Sequence, residues 1–287
     1  MFNLRCTVRN CFEPLKPSDS GLRCAAGHCF DRSKQGYFNL LQPQDRKSKH
    51  PGDIDAAVLA RHRWLERGYA DGLIQRLQSW IPLDPVSVST ESSIHPLTLD
   101  LGCGEGYFGP ALFSGEADGY CGIDLSKRAI KLAARRWPDA TWILANADRT
   151  LPARDASVHR VLSLFGRRPV SEIARVLAPG GICIVAVPGE DDLVELRQHV
   201  QQAGHRRRRW ETIADELAAA GLEMQQQQTW RTQIDLDTDA IADAMAMTYR
   251  AVRFSQNARL ETITNRSVTL SADLILAVRK TDRSGSC

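Results

Sequence analysis

No stretch of this 287-residue chain approaches the ~18 consecutive apolar residues that a membrane-spanning helix requires. The opening residues, MFNLRC, lack the apolar segment of a secretion signal. Net charge is also scarce: at +3 it is too small to mark the whole chain as a nucleic-acid binder. Nor does charge outweigh apolar content, since 43% hydrophobic and 25% charged residues are ordinary for folded domains. These absences argue against a helical membrane protein and against disorder. They lead us to expect a cytoplasmic protein with one sizeable α/β core and a smaller accessory domain.

What is present is unevenly placed. Residues 1–63 hold eleven Lys and Arg against six Asp and Glu, so the front is basic and the remainder slightly acidic. Four of the eight cysteines, Cys6, Cys11, Cys24 and Cys29, fall in the first thirty residues. In a reducing compartment such a cluster reads as a metal site rather than as disulfides. Cys6-x4-Cys11 and Cys24-x3-His28 have the form of two ligand knuckles, with Pro14, Pro17, Ser18, Asp19 and Gly21 supplying a turn between them. Zinc held by Cys6, Cys11, Cys24 and His28 is the expectation, with Cys29 as an alternative to His28. Four such ligands hold together a module too small for its own core.

We expect this zinc module over residues 1–38, a linker with helices over 39–95, and the main domain over 96–287. Gln42–Asp53, QPQDRKSKHPGD, is a polar, basic loop or linker. Apolar residues at helical spacing (Ala57, Leu59, Ala60, Trp64, Leu65, Tyr69, Leu73, Leu77) predict one or two helices over Ile54–Ile81.

The main domain begins with the apolar run Leu97–Leu101, which ends in Gly102-Cys103-Gly104-Glu105-Gly106. A strand, a glycine turn and a helix in that order let the backbone approach a ligand closely. A second strand, Tyr120–Asp124, places Asp124 twenty residues beyond Gly104, where a carboxylate accepts from ribose hydroxyls. A third, Thr141–Ala145, leads into Asn146-Ala147-Asp148, where Asp148 can receive an adenine amino group. Val158–Phe165 and Ile182–Val187 are the fourth and fifth strands, with a helix over Ser171–Leu177 between them. Further on, Trp210–Gly221 and Ala240–Val252 read as helices, and Thr229–Asp237 and Val268–Lys280 as strands. Glycines at alternate positions differ from the G-x-G-x-x-G of nicotinamide enzymes.

LDLGCGEGY, GIDLS, NADRTLP and LAPGG, in that order, resemble the class I methyltransferases over roughly residues 97–188. The resemblance implies an α/β, Rossmann-like domain with a mostly parallel seven-stranded sheet and an antiparallel edge. It also implies S-adenosylmethionine as cofactor, held around Asp100, Gly102, Gly104, Gly106, Asp124, Leu125, Ala147 and Asp148. With the Cys/His knuckles, HCFDRSKQGYFNLL, KSKHPGD and RHRWLERGY added, the chain resembles the 23S rRNA guanine-N1 methyltransferases from about residue 6 to 190. That family implies Tyr69 at the cofactor, a guanine in a 23S rRNA hairpin as acceptor, an RNA-holding cleft between zinc module and catalytic domain, and a homodimer.

The sequence also departs from the family. The first knuckle is wider than C-x-x-C, Phe165-Gly166-Arg167 stands where the family has a Tyr-Ala-Pro-like segment, and Asp191 or Asp192 replaces a histidine. Met247-Thr248-Tyr249-Arg250 replaces Met-Thr-Pro-Phe. These changes keep open a small-molecule N-methyltransferase acting on a nitrogen heterocycle, while the intact glycines and Asp124 argue against a third reading, a non-catalytic RNA-binding factor. Deprotonating guanine N1 calls for a nearby base, for which Glu190, Asp191 and Asp192 are candidates. Phe165, Tyr69 and Tyr249 could stack on a planar acceptor or simply pack in the core. The run His205-Arg206-Arg207-Arg208-Arg209-Trp210 suits RNA contacts or a solvated helix turn.

Overall fold

The structure is a computed structural model that describes residues 2–42, 52–81, 96–200, 209–248 and 265–281. Its centre is a sheet whose inner strands read as near-continuous apolar runs, because helices cover both faces. Strand β5 (Thr98–Leu101) is buried throughout, and so are most of β6 (Tyr120–Asp124), β7 (Thr141–Leu144) and β8 (Val158–Leu164). These four and β9 (Leu177–Pro188) run parallel in the spatial order β9-β8-β5-β6-β7. Helices α3 (Phe108–Leu112), α4 (Lys127–Arg136) and α5 (Val170–Val176) make the crossovers. Ser126 caps α4 by accepting from the Ala129 amide, which fixes where the chain turns from β6 into the helix.

Beyond β9 lies β11 (Asn265–Arg279), antiparallel to it, and outside β11 lies β10 (Leu222–Asp237). The antiparallel strand is thus one place in from the edge. Burial explains the order: Val268, Leu270, Leu274, Ile275 and Ala277 of β11 are buried, whereas β10 is largely polar and takes the exposed position.

The seven strands implied by the resemblance are joined by an eighth. Residues 2–42 form a three-stranded ribbon of β1 (Lys16–Ser18), β2 (Gly21–Arg23) and β3 (Cys29–Asp31), and then β4 (Phe38–Asn39), which pairs in parallel with β7. The predicted turn closes the β1–β2 hairpin between Ser18 and Gly21. Phe2, Leu4, Leu15, Leu22, Phe30 and Leu40 pack in one cluster with Leu99, Ile123, Ile143 and Ala153 of the main domain. Leu4 also bridges to Ala153, and the Arg5 guanidinium pairs with Asp155 at 2.9 Å.

The predicted helical stretch is two helices, α1 (Asp55–Glu66) and α2 (Asp71–Gln78). Trp64, Leu65 and Ile74 pack with Ala240, Ile241, Ala244 and Met245 of α8 (Thr238–Thr248). Arg63 of α1 donates to both carboxylate oxygens of Asp243 at 3.1 Å, tying the two helices across the molecule. Helices α6 (Val194–Val200) and α7 (Arg209–Ala219) complete the fold. No helix among the described residues is long and apolar enough to cross a membrane.

Candidate cofactor and metal sites

The carboxyl ends of the parallel strands bring the sequence candidates to one rim, where open α/β sheets bind their ligands. β5 delivers Gly102–Gly106, β6 delivers Asp124 and Leu125, β7 leads to Ala147 and Asp148, β8 to Phe165–Arg167, and β9 to Glu190–Asp192.

Gly102, Gly104 and Gly106 have φ of 72°, 57° and 71°, a left-handed backbone that other residues adopt only under strain. Their surroundings separate their roles. A Cβ on Gly106 would lie 2.6 Å from the Trp142 ring and 2.9 Å from Ala133, so that glycine lets α4 and Trp142 close against the loop. At Gly104 the nearest atom is the tip of the Arg61 side chain, at 3.1 Å. At Gly102 it is the Gly166 backbone, also at 3.1 Å.

Asp124 accepts from the Gly104 amide (3.0 Å) and the Ser126 amide (2.7 Å), locking strand end to loop. Burial raises its pKa above the ordinary carboxylate range, and these amides and Arg61 oppose that shift. Asp100 is enclosed beneath the loop. Tyr120 donates to its Oδ2 at 2.5 Å, while its Oδ1 is buried without a hydrogen-bond partner. Burial pushes Asp100 up to about 7.

Ala147 is buried, and Asp148 pairs with the exposed Arg167, whose Nε lies 2.7 Å from its Oδ2. Tyr69 packs its ring on Trp64, with centroids 4.4 Å apart, in the cluster that also holds Tyr107 and Phe108, the residues that follow the glycine loop.

Phe165 stands out. It has φ +57°, it is 47% exposed, and its amide donates to Ala186 of β9. The next residue explains the strain. A Cβ on Gly166 would lie 2.3 Å from the Leu101 carbonyl oxygen, so the chain passes directly over the end of β5 and the turn displays the phenyl ring on the rim.

Of the acidic candidates, Asp192 accepts from the Ser271 amide at 3.0 Å, and burial pushes its pKa up to about 6. Asp191 faces Arg231 at 3.5 Å. The Glu190 carbonyl accepts from Arg197. Tyr249 and residues 205–208 of the arginine run lie outside the described residues, while Arg209 and Trp210 open α7.

Sequence reasoning missed Arg61 and Glu105. Glu105 is 1% exposed within the glycine loop, and it accepts from Arg61 Nε at 3.0 Å, while Arg61 Nη1 donates to Asp53 at 2.9 Å. RHRWLERGY held the signal, but a lone arginine on a helix has no pattern that assigns it a role.

At the other end, the ribbon gathers Cys6, Cys11, Cys24 and His28, with ligand atoms all within 4.8 Å of one another. His28 Nδ1 is 3.5 Å from Cys6 Sγ and 3.4 Å from Cys24 Sγ, and Cys11 and Cys24 are 3.9 Å apart. Tetrahedral zinc with Zn–S of ~2.3 Å and Zn–N of ~2.0 Å sets its ligands about 3.5–3.8 Å apart, so the donor set fits that ion. Cys29 is exposed and turned toward the Gly27 carbonyl, away from the cluster.

Comparison with known proteins finds both domains. A family described as "RlmA, N-terminal", a zinc ribbon, matches residues 4–49, and a methyltransferase-domain family matches residues 98–181. The 23S rRNA (guanine(748)-N(1))-methyltransferase of Streptomyces fradiae is 34% identical over 246 residues, covering 85% of this chain and 84% of that protein. A Bacillus subtilis protein named for guanine-N1 methylation of 23S rRNA is 31% identical over 260 residues, covering 88% and 89%. A methyltransferase structure from Bacillus halodurans superposes with a TM-score of 0.52 at 16% identity, over 72% of this chain and 99% of that one, which speaks for the fold alone. With ribbon, glycine loop and whole-length similarity in agreement, the chain belongs to the 23S rRNA (guanine-N1)-methyltransferases and is an S-adenosylmethionine-dependent methyltransferase with an N-terminal zinc ribbon.

Proposed function

We propose that this protein transfers a methyl group to N1 of one guanine in a hairpin loop of 23S rRNA. The similarity over 85% of the chain to an enzyme named for that reaction carries the reading. When bound, S-adenosylmethionine supplies a methyl group already activated on a sulfonium, so the chain's own task is to position the acceptor, exclude water and take up one proton. Gly102–Gly106 shape the backbone that the cofactor lies on. Asp124 would accept from the ribose hydroxyls, and Asp148, paired here with Arg167, would receive the adenine amino group. Leu125 and Ala147 would line the walls, Tyr69 would close the near side, and Asp100, held by Tyr120 at the end of β5, would lie beneath the loop.

Phe165 is the platform for the extruded base. A ring held out by a strained turn, whose next residue Gly166 lies over the first loop glycine, suits stacking on a planar acceptor. Asp192 is the base that accepts the N1 proton: the Ser271 amide orients its carboxyl, and a value near 6 leaves it ionised at neutral pH. Cys6, Cys11, Cys24 and His28 hold zinc, and the basic ribbon they stabilise contacts RNA backbone. Such a protein works in the cytoplasm, and a homodimer would enlarge the RNA-holding surface.

The departures at Phe165–Arg167 and Asp191–Asp192 favour the second reading, a nitrogen heterocycle as acceptor. Incubating the protein with labelled S-adenosylmethionine, and with either 23S rRNA lacking the modification or a low-molecular-weight cell extract, separates the two. Label in the RNA is expected, and label confined to the small-molecule fraction would replace the first reading with the second.

A further inference from the structure

Resting on the cofactor assignment, we propose that Arg61 holds the amino-acid carboxylate of S-adenosylmethionine, and that residues 52–61 form a cover of the cofactor cleft pinned by that arginine. The guanidinium is fixed from two sides. Nε donates to Glu105 at 3.0 Å and Nη1 to Asp53 at 2.9 Å, so its orientation is set before any ligand arrives. The third nitrogen, Nη2, is the atom nearest Gly104, 3.1 Å from where a Cβ on that glycine would sit. A side chain at Gly104 would therefore displace the guanidinium rather than backbone.

The cover is equally close. Gly52, at φ +85°, presses on the Leu125–Ser126 peptide just beyond Asp124: a Cβ there would lie 2.7 Å from the Ser126 nitrogen and 3.0 Å from the Leu125 carbonyl carbon. The chain thus enters over the predicted ribose position and leaves along α1 with Arg61 above the glycine loop.

The charges are consistent with an anionic ligand group. Glu105, within the loop, and Asp124, which accepts from the Gly104 amide, bring carboxylates to the loop, and Arg61 is the cation bonded to it. A zwitterionic amino acid brings one carboxylate and one ammonium. The ammonium suits the acidic surroundings, which include the buried, unpartnered Glu105 Oε1. The carboxylate requires a cation, and Arg61 supplies it in a geometry matched to carboxylates.

The test is binding, measured calorimetrically, of two ligands that differ only in the amino-acid part: S-adenosylhomocysteine, which carries the carboxylate, and methylthioadenosine, which lacks it. Removing Arg61 alone would leave Glu105 as a buried unpaired charge, so the variant used is Arg61→Met combined with Glu105→Gln, with Glu105→Gln alone as reference. Relative to that reference, the double variant should bind S-adenosylhomocysteine roughly ten- to hundredfold more weakly, the loss expected for a charge-assisted pair, and methylthioadenosine equally well. Equal weakening of both ligands would make Arg61 a structural tether, and unchanged binding of both would remove it from the site. Either result overturns the proposal.

Discussion

Trp142 accounts for one glycine that the motif reading assigns to the cofactor, Gly106, and for one it leaves without a role, Gly122. Its indole is almost fully buried, donates to the Trp137 carbonyl at 2.8 Å, and lies where a Cβ on Gly106 (2.6 Å) or Gly122 (2.3 Å) would fall. The loop glycines should therefore respond differently to alanine. Gly106→Ala meets both left-handed strain and a packed ring, and should destabilise the protein by roughly 2–5 kcal/mol. Gly104→Ala meets the strain and a movable arginine tip, and should cost about 1–2 kcal/mol while weakening cofactor binding. Denaturant unfolding of both variants, with a cofactor titration of the second, checks the contrast. Asp192 carries a pH prediction. As a base it works only when ionised, and burial places its value near 6, so the rate should be lost as pH falls through 6 and reach a plateau above it. Asp192→Asn should lower kcat by roughly a hundredfold or more and abolish that slope, with KM for cofactor little changed. A variant that keeps the wild-type pH profile would take the base role away from Asp192.

Among the elements, β4 is the most consequential short one. Two residues, Phe38 and Asn39, extend the main sheet from seven strands to eight, and the Leu40 amide adds a bond to Leu144. The ribbon is thereby continuous with the catalytic core, sharing buried Leu22 and Phe30 with Leu99 and Ile143. Zinc removal should accordingly be felt beyond the ribbon. Cys11→Ser, or treatment with a chelator, should release stoichiometric zinc and lower the melting temperature of the whole protein in one transition. A protein without zinc, or with an unchanged melt after its removal, would contradict this. The knuckles, the glycine loop and the crossover strands were legible because each is local: ligand spacing, left-handed glycines and apolar runs are written within a few residues. β4 was not, because its pairing with β7 joins segments a hundred residues apart, and QGYFNLL has no strand signal of its own. The inner position of β11 was equally non-local, set by burial against a polar neighbour. Arg61 and Gly166 likewise take their meaning only from what the fold lays over the glycine loop.

At the scale of the molecule, the first and last parts of the chain enclose the middle. The ribbon and β4 close one edge of the sheet, β10 closes the other, and α1 crosses the rim to pack on α8. Phe165, Asp192, Arg61 and the predicted cofactor residues thus share one rim, an arrangement that suits an extruded base presented to an enclosed methyl donor. The most direct test is a reverse-transcription map of 23S rRNA from cells with and without the gene, since methylation of N1 blocks Watson–Crick pairing and stops the polymerase. A stop at a single hairpin guanine that is present only with the gene, and lost when the gene carries Asp124→Ala, is the predicted result. Identical maps from the two strains, with the purified protein active only on a small heterocycle, would contradict the rRNA assignment.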